Sequence, residues 1–210
     1  MAGLKRNNDA MPRLAPLLCP LLVLLAACSA DKAQNMILHT SKGDIHIALS
    51  GRAPEHCNDF IAMLQMPRRD SLTFYRVERD FAIHFGVGPA DSLAHTGVVE
   101  YEAGELPLGG SLASVAEQPG KLSESGNYFL ILDRPQSDAS LDALEKKTGR
   151  RFSPTERQAY KKHGGLPQLQ GQVTVFGRIT EGLEIAQRIA ALPRDAKGRP
   201  LERVAVWMNW

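Results

Sequence analysis

Apolar residues along the chain follow two periods. In Ile45-His-Ile-Ala-Leu49, the residues Ile45, Ile47 and Leu49 alternate with His46 and Ala48. That is the period of a strand with one buried face. Met36-Ile-Leu-His-Thr40 precedes it across the turn Ser41-Lys-Gly-Asp44, so the two predict a hairpin. Pro54 then opens a helix over Glu55–Gln65. Cys57, Phe60, Ile61 and Leu64 recur on it at three- and four-residue spacing, and Pro67 ends it. Further strands are predicted at Leu72–Val77, Phe81–Phe85, Leu112–Ala116, Asn127–Leu132, Val173–Ile179 and Val204–Met208, with a helix at Glu181–Ala191. Residues 86–110 hold six glycines and two prolines and read mainly as loop. Many strands with few helices imply a barrel or sandwich capped by helices.

Asp138–Gly165 departs from this pattern. It is polar and helical, with 11 charged residues among 28. Ser153-Pro-Thr-Glu156 has serine at the N-cap, proline at the first helical position and glutamate at the third, a capping box. Gly164-Gly165 stops that helix. With too few apolar residues for a core of its own, the segment is a helical insertion between two strands rather than a domain. Its place just before Leu169 makes it a candidate for partner choice.

The first 28 residues have a different character. Lys5, Arg6 and Arg13 precede the apolar run Leu14–Ala27, which is broken by Pro16 and Pro20 and is too short for a confident span. It ends in Leu25-Ala-Ala-Cys28, which resembles the lipobox of bacterial lipoproteins. That resemblance implies a signal peptide over 1–27, a lipid on Cys28 and a tether over 28–35. The domain would be anchored to a membrane without spanning it. Ser29 rather than aspartate follows the cysteine, which in the sorting rule of Gram-negative lipoproteins points to the outer membrane, facing the periplasm.

The whole chain is 210 residues long with a formal charge of +2, but the 183 residues from Cys28 onward carry 22 basic and 22 acidic side chains. No single-sign field is left to hold nucleic acid. The 43% hydrophobic content excludes disorder for most of the chain and suits one domain, 36–210. Of three cysteines only Cys28 and Cys57 lie outside the leader, too few for a disulfide framework or a zinc cluster. Cys57 reads as a small buried hydrophobe. The six histidines show no i, i+4 pair, so no metal site is expected. Trp207 is expected to close a barrel end, and a monomer is expected.

The chemistry concentrates in Phe74-Tyr-Arg-Val-Glu-Arg-Asp-Phe-Ala-Ile-His-Phe-Gly86. Taken alone, Arg76 is an arginine on a strand, solvated or paired with a carboxylate. The order of segments says more. Leu72-Thr-Phe-Tyr-Arg-Val77, with Gly110-Ser-Leu-Ala113, Asn127-Tyr-Phe129, Leu169-Gln-Gly-Gln-Val-Thr-Val-Phe-Gly177 and Glu181-Gly-Leu183, resembles the cyclophilin family of peptidyl-prolyl isomerases. The opening hairpin and Asn58-Asp-Phe60 match it as well, over about residues 36–208. The resemblance implies a mainly β fold: a closed eight-stranded antiparallel barrel capped by two helices, here with the insertion added. It implies a proline-containing polypeptide as substrate and no cofactor. Arg76 matches the catalytic arginine, and Phe81, Phe129 and Leu169 match the residues that enclose the proline ring. Other pocket positions depart from the family. Ala82 replaces methionine, and His84 replaces glutamine. Val115-Ala116 stand near an Ala-Asn pair, and Val173 stands where histidine or tyrosine is usual. Gln168 stands where many members have tryptophan. These departures support a second reading, a weak or inactive module that binds proline-containing segments or an envelope partner.

Overall fold

The computed structural model describes residues 34–65, 72–87, 93–97, 100, 105–118 and 122–209, with backbone alone for 93–97, 115–118, 122–126 and 209. Residues 1–27 and Cys28 lie outside the described residues. Among the described residues no helix is long and apolar enough to cross a membrane.

The chain forms β1 (Asn35–Thr40), β2 (Gly43–Leu49), α1 (Pro54–Gln65), β3 (Thr73–Glu78), β4 (Ala82–Gly86), β5 (Leu93–Gly97), β6 (Ser111–Gln118) and β7 (Leu122–Ile131). There follow α2 (Asp138–Thr148), α3 (Pro154–His163), β8 (Val173–Glu181), α4 (Leu183–Ala190) and β9 (Val206–Asn209). Eight strands pair in the order β3-β4-β7-β6-β8-β2-β1-β9, antiparallel throughout. The ends meet where Thr73 bridges Ala205, with Phe74 N–H on the Val204 carbonyl at 3.1 Å and Val206 N–H on the Leu72 carbonyl at 3.0 Å. The ring is nearly closed, so few backbone groups face an open edge. The expected eight-stranded barrel is what the chain forms.

The stretch 86–110 also holds a short strand, β5, which pairs with β7. One expectation needs correction: Trp207 does not close a barrel end. It is 43% exposed and stacks on His39 with ring centroids 5.9 Å apart, on the outer face of β1 and β9. Alternation explains it, since the neighbouring Val206 already takes the inner position at 2% exposure.

Inside the barrel the apolar side chains of β1, β2, β3, β4, β7 and β8 meet those of α1 and α4. Phe60 of α1 sits at the middle of an aromatic group. Its ring lies 4.8 Å from Tyr128, 5.4 Å from Phe176 and 6.1 Å from Phe85, each edge-on. Cys57 packs beside them, its thiol donating to the Ser50 carbonyl at 3.2 Å. Burial, the Glu100 carboxylate adding to it, pushes that thiol up to about 12, so it stays protonated and inert. Glu100 also finishes the start of α1. It accepts from the amides of Glu55 (3.2 Å) and His56 (3.0 Å) and pairs with His56 Nδ1 at 2.7 Å. A carboxylate there satisfies orphan helix N–H groups and opposes the helix dipole.

The insertion is two helices with complete caps. Ser153 Oγ accepts from Glu156 N–H (3.3 Å), while Glu156 accepts from Ser153 N–H (2.7 Å). Arg157 on α3 ties α2 down through Asp138, Asp142 and Glu145 at 2.7–3.3 Å. Leu141, Phe152 and Tyr160 are buried together, and Leu106 and Leu108 from the barrel complete that cluster. So the insertion borrows its core from the barrel, as a segment with few apolar residues must. At its end Gly165 lies so close to Pro107 and Leu108 that a Cβ would meet the Pro107 carbonyl oxygen at 2.3 Å.

Candidate active site

Strict alternation from the buried Phe74 would point Arg76 into the barrel. The structure places it outside, because β3 carries a bulge. Phe74 pairs with Phe85 and Arg76 with His84, leaving Tyr75 as one extra residue. Phe74 and Val77 are both buried, at 3% and 0% exposure, while Arg76 is exposed between them. The bulge buries two apolar residues and turns a cation out to water.

Register then builds a row across the sheet. Arg76 lies opposite His84, His84 opposite Phe129, Phe129 opposite Ala113, and Ala113 opposite Val175. Opposite residues share a face. With about 4.8 Å between strands, Arg76 and Phe129 are about 10 Å apart along the row, room for a prolyl residue. Phe129, Ala113 and Val175 of the row join Ala82, Ile131, Leu166 and Val173 in a second buried apolar cluster, with Phe81 and Leu169 packed half-buried against it. Of the residues expected at the site, the structure thus brings together Phe81, Ala82, His84, Phe129, Leu169 and Val173. Phe81 lies in the turn before β4 rather than in the strand, held by its N–H on the Glu78 carbonyl at 3.1 Å. Val115 is opposite Val173 and Ala116 opposite Ser123 by backbone register, their side chains being outside the described set.

Sequence reading missed four contributors. Glu78 accepts from Arg76 Nε at 2.9 Å. Gly198, far along the chain, supports the Arg76 stem. Asn127 is two residues before Phe129 and so on the same face of β7. Leu166 joins the apolar cluster from the end of the insertion. Asn127 and Glu78 had a usable signal, the period of two that places them on the faces of Phe129 and Arg76; which face of β3 that is depends on the bulge.

His84 is half-buried and stacks on Phe129 at 5.4 Å and 26°. Its Nε2 is 3.6 Å from Glu78, beyond hydrogen-bond range. Burial, with the Arg76 charge adding to it, pushes His84 down from 6.5 to about 4. The ring is therefore neutral at pH 7. Between about pH 6.5 and 4 the unfolded chain binds a proton that the folded one refuses. Stability from this residue is full above pH 6.5 and falls as the pH drops toward 4. The loss by pH 4.5 is expected to be roughly 2–3 kcal/mol, and His84→Gln should remove it. Urea midpoints at pH 7 and 4.5 check this; equal acid losses in both proteins would contradict it.

Leu169 sits in a short 3-10 turn, Pro167–Leu169, which the insertion braces. Tyr160 donates to Gln170 Oε1 at 3.1 Å, Gln170 donates to Glu156 at 2.5 Å, and Arg150 bonds the Gln170 carbonyl. A recess of about 640 Å³ lies elsewhere, lined by Leu49, Arg52, Glu105, Leu108 and Arg178. It holds neither Arg76 nor any residue of the apolar cluster beside it.

The class of fold and site is thus an antiparallel eight-stranded barrel with an exposed arginine beside an apolar cluster on its outer face. Residues 35–208 match the family described as cyclophilin type peptidyl-prolyl cis-trans isomerase/CLD. The chain belongs to that family, and its activity is peptidyl-prolyl isomerisation. Among relatives, a candidate peptidyl-prolyl isomerase of Staphylococcus aureus (strain COL) is 26% identical over 179 residues, covering 82% of this chain and 88% of the relative. One of Staphylococcus haemolyticus (strain JCSC1435) is 25% identical, covering 84% and 90%. A crystal structure of a Cryptosporidium parvum cyclophilin-type isomerase shares the fold, with a TM-score of 0.60 at 16% identity, covering 85% of this chain and 98% of that one.

Proposed function

We propose that this protein is a prolyl isomerase tethered in the bacterial cell envelope, where it assists folding, with Arg76 as the donor that lowers the barrier. The observation that carries the reading is the cross-strand row. It sets Arg76 about 10 Å from Phe129 and above an apolar floor. Rotation about Xaa–Pro breaks amide resonance, with a barrier of about 18–20 kcal/mol. As the bond twists, the prolyl nitrogen regains its lone pair and becomes an acceptor. Arginine stays charged and presents donors in a fixed fork. The hydrogen bond exists only in the twisted state, so it stabilises the transition state over the ground state. Phe81, Phe129 and Leu169 would hold the ring, while Ala82, His84, Val115, Ala116 and Val173 would line its flanks. The pocket keeps water from the bond, which strengthens it. The Cryptosporidium protein is also described in the presence of the dipeptide Ala-Pro, and the same ligand chemistry is proposed for this groove.

The tether rests on the sequence: a basic start, a short apolar run and Leu25-Ala-Ala-Cys28. Expression of the full chain in a Gram-negative host with labelled palmitate tests it. Label and outer-membrane fractionation are expected, and both should vanish in Cys28→Ser. Unlabelled wild-type protein would sink the anchor and leave the isomerase untouched.

A further inference from the structure

We propose that Glu78 is a positioning residue for the reaction. It holds the Arg76 guanidinium by Nε, so that the two Nη nitrogens are the ones presented to the prolyl nitrogen. The inference rests on the reading of Arg76 as the donor.

Arg76 and Glu78 are two residues apart on β3, with the buried Val77 between them, so they share the outer face. The carboxylate stands beside the arginine stem rather than beyond its tip. It meets Nε, the donor nearest the backbone, at 2.9 Å. Engaging Nε leaves the four N–H bonds of the two Nη nitrogens for a ligand. Had the pair formed through Nη, the carboxylate would compete with substrate instead of orienting the fork.

A second fixed point restrains the stem. A Cβ at Gly198 would lie 3.3 Å from Arg76 Cγ, so the backbone there passes close against the arginine. Gly198 holds φ +81°, which suits glycine. Its loop is fastened to the same strand, with Val77 N–H donating to the Gly198 carbonyl at 2.8 Å. Asp195 braces the loop by accepting from the amides of Lys197 (2.8 Å) and Arg199 (2.9 Å) and from Arg199 Nε (2.7 Å). The stem is thus held by Gly198 and the head by Glu78. His84 does not take Glu78 away. Its ring is committed to Phe129 and its Nε2 stays 3.6 Å from the carboxylate. The pair is exposed, so it adds little to stability. Its effect is on direction: a long arginine with many rotamers is narrowed to those that face the groove, which is the part of catalysis supplied by orientation.

The test is steady-state kinetics on an Xaa-Pro peptide with the full chain, its Glu78→Ala and Glu78→Gln variants, Arg76→Ala, and the double variant. Glu78→Ala is expected to lower kcat about 10-fold with KM within about twofold, the split for an interaction felt in the transition state. Glu78→Gln keeps an oxygen acceptor for Nε and should keep most of the rate. In the Arg76→Ala background, Glu78→Ala should cost nothing further, because the two act through one group. A merely structural role would add its loss in both backgrounds. Wild-type or higher kcat in Glu78→Ala, beside a slow Arg76→Ala, overturns the positioning role alone. An Arg76→Ala variant as fast as wild type overturns the reading of Arg76 and this inference with it.

Discussion

Arg76→Ala is expected to lower kcat/KM for Xaa-Pro isomerisation by about 100- to 1,000-fold, the range for loss of one preorganised donor to a developing charge. Exchange between cis and trans peptide, followed by line broadening or saturation transfer without a coupling protease, gives the rate directly. Urea stability should barely change, because the arginine side chain is 53% exposed and its ion pair with Glu78 is at the surface. A large kinetic loss without a stability loss separates a donor from a structural cation. Arg76→Lys should lose most of the rate too. An ammonium is a point donor that cannot bond Glu78 and the prolyl nitrogen in the same fork. A rate unchanged in Arg76→Ala would end the mechanism proposed here while leaving the barrel and its family membership intact.

Phe60→Ala is expected to cost about 3–5 kcal/mol in urea unfolding. Phe60 is fully buried and touches three aromatic rings from β4, β7 and β8. None of the three can collapse into the gap without leaving its strand. A cost of that size is a large share of the roughly 5–15 kcal/mol that holds a domain together. Activity should fall with it by a route apart from Arg76. Phe85 and Tyr128 pack on Phe60 from inside, and the neighbours of those two on the outer face, His84 and Phe129, build the groove. Phe60→Leu, which fills much of the space, should cost far less. A change below about 1 kcal/mol for Phe60→Ala would mean that the aromatic group does not set the core.

Much of the architecture was legible because its signals are local. The β1–β2 hairpin shows in the alternation of Ile45, Ile47 and Leu49, and α1 in the spacing of Cys57, Phe60 and Leu64. The capping box at Ser153 needs only four residues, and the structure forms both of its hydrogen bonds. Strand ends were less legible. β7 begins at Leu122 rather than Asn127, since pairing with β5 and β6 extends it beyond its apolar part. β5 itself lay in a glycine-rich stretch and forms because β7 offers it an edge. Trp207 showed the same limit, for a period-two pattern tells which residues share a face and not which face is inside.

By itself, then, the sequence determined the order of elements, the family, the arginine and the apolar residues that accompany it, because each depends on neighbours in the chain. Only the tertiary structure decided which way the arginine points. The bulge at Tyr75 depends on how β3 pairs with β4, and without it Arg76 would face the core. Register across three further pairings, from His84 to Val175, aligned the groove. Arg76 and Glu78 share a face by spacing alone, but the bulge turns that face outward, and Gly198 reaches Arg76 from more than a hundred residues away. The insertion, polar and self-capped in sequence, gained its part in the site by returning Leu166 and Leu169 to the barrel wall. Contacts between distant segments carry no period and no spacing, so they become visible only when the chain is folded.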